Sequence, residues 1–215
     1  MASISDMHPA ASAWTRLLSA LPDAVTACGC LIVWIAPRAL GDDAVKTVLL
    51  MLLMEFILVH ATGFFTAIAA PADAPKAGRI AKLCGLALFY MLFVAVWAWA
   101  FRAWWPVAVF AWMLVGKVGW VYANPRGRTD EIARQMTAWS FSVVAYIGAV
   151  FAGVAFPLPR LGLDAATVAS LHLPASGLWI EHPHVAVASA FLYYTALALF
   201  KGRGGWFPVA TSEVT

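Results

Sequence analysis

The chain has 215 residues, 63% of them hydrophobic and 12% charged, with a mean hydropathy of +0.81 and a net charge of +3. Soluble domains carry about 25% charged residues, so the deficit points to lipid as the solvent. So small a positive charge argues against a nucleic-acid platform, and three cysteines without CxxC spacing (Cys28, Cys30, Cys84) argue against a disulfide framework or a zinc ribbon.

Residues 1–21 begin polar and then place Trp14, Leu17, Leu18 and Leu21 at helical spacing, with Arg16 opposite. This is the pattern of a short amphipathic helix lying in the membrane interface. Pro22-Asp23 is expected to break it before a first span over about 22–40. The apolar centre of that span, Ala24 to Ala36, has only 13 residues and must borrow from its flanks to cross, so five spans is the alternative to six. Pro37-Arg38 stands where a signal peptidase would need small residues, and a cleaved leader is not expected.

The second span, 45–70, is the most apolar stretch and carries two ionisable residues, Glu55 and His60. About 20 apolar residues cross a ~30 Å hydrocarbon layer as a helix. A carboxylate in that layer costs ~2.5–3.5 kcal/mol even on lenient insertion scales, so Glu55 needs a partner or a polar cavity. The third and fourth spans, 83–101 and 107–123, are joined by Arg102–Pro106, whose tryptophans suit an interface, and Lys117 falls inside the fourth. The fifth, 137–156, sets Ala145, Ala149 and Gly153 four apart, a small-residue face suited to close helix packing within the chain or in an oligomer. Residues 157–183 are the one long loop, in which Asp164 is placed to cap a short helix. The sixth span, 184–200, is expected to start near Pro183, and Trp206-Phe207 of the tail, 201–215, to touch the interface. The fold class is therefore all-α: a polytopic membrane bundle of six helices with short interfacial helices at the amino terminus and before the last span.

Sidedness follows from the alternate loops. One side holds nine cations (Arg16, Lys76, Arg79, Lys82, Arg126, Arg128, Arg134, Lys201, Arg203) and the other four (Arg38, Lys46, Arg102, Arg160). The bias puts both termini in the cytoplasm, as in a protein of a bacterial inner membrane, with the histidine-bearing loop outside.

Two constellations carry possible chemistry. Glu55 and Lys117, each ten or eleven residues into spans of the same direction, are expected at one depth and in contact. His60 lies ~140° around the helix from Glu55 and does not share its face, and no second buried histidine suggests haem. His172, Glu181, His182 and His184 form the densest set of ligand-type side chains, read as a zinc or copper site, as the polar rim of an outward pocket with Glu55 at its floor, or as plain helix capping. No HExxH, GxSxG, Walker or dinucleotide motif occurs. Three function classes remain: a protein that binds or passes a small ligand, ion or proton; a structural subunit of a larger membrane assembly; and a membrane enzyme using the outer histidines.

Overall fold

The computed structural model describes residues 13–71, 74–123, 128–174 and 176–205, with only the backbone given for 128–131. Arg126 and the Trp206-Phe207 pair therefore lie outside the described residues. The elements are α1 (Ala13–Ile35), α2 (Ala44–Ala69), α3 (Lys76–Ala100), α4 (Trp105–Ala123), α5 (Arg128–Ala155), α6 (Ala165–Ser170), α7 (Leu178–Glu181) and α8 (Pro183–Gly202). Six of them, α1 to α5 and α8, are long and apolar enough to cross a membrane. The protein is an all-α membrane bundle, as its composition requires.

The expected break at Pro22 is absent. α1 runs unbroken from Ala13 to Ile35 through the proline, so Trp14, Leu17, Leu18 and Leu21 are exposed positions on the spanning helix itself. A proline removes one rung of the helical ladder, which spanning helices tolerate where a neighbouring helix holds them. Here that neighbour is α8, against which α1 packs more extensively than any other pair of helices in the bundle.

α2 is the central helix and packs on α3, α4, α5 and α8. Its two halves belong to different cores. Val45, Val48, Leu49 and Leu52 join the cluster made by α1, α5 and α8, whereas Met54, Ile57, Ala61 and Phe65 join Leu83, Val94 and Phe110 of α3 and α4. Glu55 falls at the changeover. The lower end of α2 is closed by Arg79, whose Nη1 donates to the Ala69 carbonyl at 2.9 Å, a cation at a helix C-terminus.

Close approaches fix the helix pairs. A Cβ on Gly63 would meet the Trp139 ring at 2.6 Å, so α5 can lie this near α2 only over a glycine. A Cβ on Gly153 would run into the Ser189 hydroxyl and the Val185 carbonyl of α8. The small-residue face around Ala149 and Gly153 is thus covered by α8 of the same chain, and as an oligomer surface it is already occupied. In the long loop, Asp164 caps α6 as expected, its Oδ1 accepting from the Thr167 amide at 2.8 Å. The loop is tied to the end of α1 by Trp34 Nε1 donating to the Pro159 carbonyl and by Gly162 N donating to the Trp34 carbonyl.

Candidate functional site

Glu55 meets α8 rather than α4. Tyr193 Oη donates to Glu55 Oε1 at 2.6 Å, and Tyr194 Oη donates to Oε2 at 3.3 Å. The two rings stand edge to face, 4.9 Å apart, which lets adjacent residues of one helix serve the two oxygens of one carboxyl group. Ser142 Oγ donates to the Ala138 carbonyl of its own helix at 2.9 Å, and Tyr146 Oη donates to the Leu52 carbonyl at 3.0 Å. Hydroxyls from α5 and α8 thus form a polar layer across the middle of α2. A tyrosine inside a bilayer needs an acceptor as much as the carboxyl group needs donors, and each satisfies the other.

Lys117 is held elsewhere. Its Nζ donates to Thr66 Oγ1 at 2.8 Å and to Gln135 Oε1 at 2.9 Å. The cause is helix register. Thr62 donates to the Met113 sulfur at 3.7 Å, so residue 62 of α2 faces 113 of α4 and 66 faces 117. The expected contact needed Glu55 opposite Lys117, but that register puts Pro106 opposite Glu55 and Lys117 eleven residues on, ~16 Å along the axis. The Glu55–Lys117 ion pair is therefore corrected to two separate polar groups.

The two groups nevertheless share a cavity of about 360 Å³, lined by Glu55, Leu58, Val59, Thr62, Lys117, Gln135, Ala138, Trp139 and Ser142. One face of α2 forms its floor, and α4 and α5 its sides. On the α5 side, Trp139 Nε1 donates to the Val59 carbonyl at 2.7 Å, and its ring forms part of the wall. α4 and α5 belong to separate apolar clusters and do not pack along each other among the described residues. The hydrogen bond from Lys117 to Gln135 crosses the seam between them at the Thr66 level. Glu55, toward the other end of the cavity, is a partly buried residue of its lining.

The loop histidines do not join this site. Glu181, His182 and His184 are absent from the cavity lining and sit at the other end of the bundle, where α8 begins. Glu181 turns back on its own short helix, its Oε1 accepting from the Gly177 amide at 3.3 Å. His172 sits at a positive φ of 45° with Nδ1 3.0 Å from the Ser170 carbonyl. His182 and His184 hold their rings 5.9 Å apart, and His184 is buried at the start of α8. No group of three or more His, Cys, Asp or Glu side chains comes together among the described residues. The metal set His172, Glu181, His182 and His184 is therefore not assembled, because α7 ends at Glu181 and Pro183 starts a new helix. His60 lies on the exposed face of α2, its ring tilted against that of Phe56 with centroids 4.3 Å apart and its Nδ1 3.0 Å from the Phe56 carbonyl, and it is absent from the cavity lining.

Sequence reasoning missed Tyr193, Tyr194, Ser142, Gln135 and Trp139. The signal was present in the Tyr193-Tyr194 pair, two phenols in the middle of a span rather than in an interfacial belt. It also missed a second buried pair, Asp23 Oδ2 with Lys201 Nζ at 2.7 Å, which ties α1 to α8. Comparison with protein-family models, curated proteins and solved structures found no significant match to this chain.

Proposed function

We propose that this membrane protein binds a small ligand or ion inside the bilayer, with Glu55 as the anchoring group. The observation that carries the reading is the cavity itself. A carboxyl group with two of its four acceptor positions taken by Tyr193 and Tyr194 keeps the rest for a guest, and it faces a space of about 360 Å³, within the size range of ligand sites. A purely structural carboxyl group would be expected under packed side chains instead. The nine-to-four cation bias supports a cytoplasmic position for the Lys117 end, and with it a site reached from the bilayer or the cytoplasmic half rather than from the His184 end.

A hydrophobic carbodiimide, which reaches carboxyl groups from within lipid, tests this reading. In native protein it should add its mass to Glu55, and the adduct should vanish in Glu55→Gln. Absence of the adduct in folded wild-type protein would overturn the reading and favour a structural role.

A further inference from the structure

We infer that Glu55 takes up and releases a proton through a second cavity, between α1 and α2, so that the end of the bundle bearing Asp42 sets the protonation of the binding site. The inference rests on the binding role proposed for Glu55 and adds a proton as the second species held there. Three observations lead to it.

The cavity and its mouth come first. α1 packs on α8 and touches α2 only slightly, which leaves between α1 and α2 a space of about 620 Å³. Thr26, Gly29, Cys30 and Val33 line it on α1, and Ala44, Thr47, Val48 and Met51 on α2. Both sets step by three and four residues, so each is one helix face about two turns long. The rest of the lining, Leu40 to Asp43, is the connection between the two helices and is exposed. The mouth therefore stands at a helix end, where a spanning protein meets water, and the exposed residues are the lining itself. Asp42 and Asp43, the latter paired with Lys46 at 3.3 Å, favour cations there, hydronium included. At ~30 Å³ per molecule the space has room for roughly 20 waters.

One stripe of α2 then joins this cavity to the first. Met51 is the deepest α2 residue of its lining, and Glu55, the next turn on, begins the lining of the other cavity, which continues along Leu58 and Thr62. From Ala44 through Val48, Met51, Glu55 and Leu58 to Thr62 the steps alternate between four and three residues, which keeps all six on one face. Only the Met51 level, ~6 Å of helix, separates the cavity floor from Glu55. A methionine is unbranched and flexible, and a proton needs no more than one hydrogen-bonded water to pass it.

The bonding of Glu55 suits a group that changes its protonation. Its partners Tyr193 and Tyr194 are phenols of α8. The other ionisable groups about it are Tyr146 of α5, the Asp23–Lys201 pair of α1 and α8, and Lys117 of α4, which lines the same cavity and bonds to Thr66 and Gln135. Glu55 forms no ion pair of its own among the described residues. An ion pair would lock the charge in place, whereas phenols can bond a carboxylate and a carboxylic acid alike. A hydronium ion in the cavity gives its proton to the carboxylate and remains as water, and the reverse step returns it. Occupancy of the binding site by a guest thereby depends on the pH at the Asp42 end.

The hydrophobic carbodiimide adds to a protonated carboxyl group, so its rate at Glu55 reads that proton. Wild-type protein is reconstituted in one orientation in vesicles whose inner and outer pH are set separately. Raising the pH at the Asp42 end should slow labelling, by up to about tenfold per unit, and the same change at the Lys117 end should leave the rate unchanged. Gly29→Leu puts a side chain into the cavity where a Cβ meets only Leu40 Cδ1, at 3.9 Å, and should weaken the response to the Asp42 end. A rate that follows the Lys117 end, both ends equally or neither, or a full response in Gly29→Leu, would overturn the inference while leaving the binding role of Glu55 standing. No labelling at all in folded protein defeats both.

Discussion

At the scale of single residues, the site depends on hydrogen bonds whose lengths rank their worth. Interhelical hydrogen bonds in membranes average ~0.6 kcal/mol and reach ~1.7 kcal/mol. The 2.6 Å bond from Tyr193 to Glu55 belongs at the upper end and the 3.3 Å bond from Tyr194 at the lower. Tyr193→Phe should therefore lower unfolding free energy in detergent by about 1–2 kcal/mol, and Tyr194→Phe by less. A larger loss from Tyr194→Phe would contradict the geometry. Glu55→Gln and Lys117→Met should show no ion-pair coupling although both line one cavity, because ~16 Å along the helix axis separates their levels and each has its own partners. A double-mutant cycle should leave a coupling term below about 1 kcal/mol, where a direct buried ion pair would leave one of up to ~3 kcal/mol. Asp164 supplies a pH dependence of its own. The Thr167 amide donating to its carboxylate holds its pKa below the usual aspartate value. A depressed folded-state pKa means that the cap is fully formed above the ordinary aspartate value and is lost as pH falls through the lower, folded one. The protection of the Thr167 amide, its exchange rate relative to the intrinsic rate at each pH, should fall only under such acid, and a loss of protection already near neutral pH would exclude the carboxylate as the cause.

At the scale of helices, close packing decides register, and two contacts offer tests. Gly63 leaves room for the Trp139 ring, which a Cβ would meet at 2.6 Å. Gly63→Ala should cost ~1–3 kcal/mol by overpacking and should break the Trp139 bond to the Val59 carbonyl, shifting tryptophan emission. Unchanged stability and emission would mean that α5 does not approach α2 this closely. The Asp23–Lys201 pair fastens α1 to α8 with both side chains mostly sheltered. Lys201→Met alone should be more damaging than the double variant Asp23→Leu with Lys201→Met, since removing one partner leaves a charge buried. The reverse order, measured by thermal unfolding, would show the pair to be solvated.

At the scale of the whole molecule, the sequence determined the solvent and the second to sixth spans, and left the first open between crossing and not crossing. An apolar stretch about as long as the bilayer is thick can do little other than cross it as a helix, which is why the second to sixth spans were legible. Local chemistry was legible too: Asp164 as a cap, Pro183 at the start of α8, and Glu55 as the group demanding partners. The tertiary structure alone decided who those partners were. Depth counted from loop ends placed Lys117 beside Glu55, but loops do not set register. Side-chain packing does, and the Thr62–Met113 and Thr66–Lys117 contacts slide α4 along α2 by nearly three turns from that count. Pro22 read as a break because a single sequence shows the lost hydrogen bond and not the α8 surface against which the continuous helix packs. The small residues of α5 read as a seam, correctly, but only the fold shows that α8 of the same chain fills it. Hydrophobicity is a property of a segment and can be read from it. Register and pairing are properties of two surfaces together, and neither sequence segment contains the other.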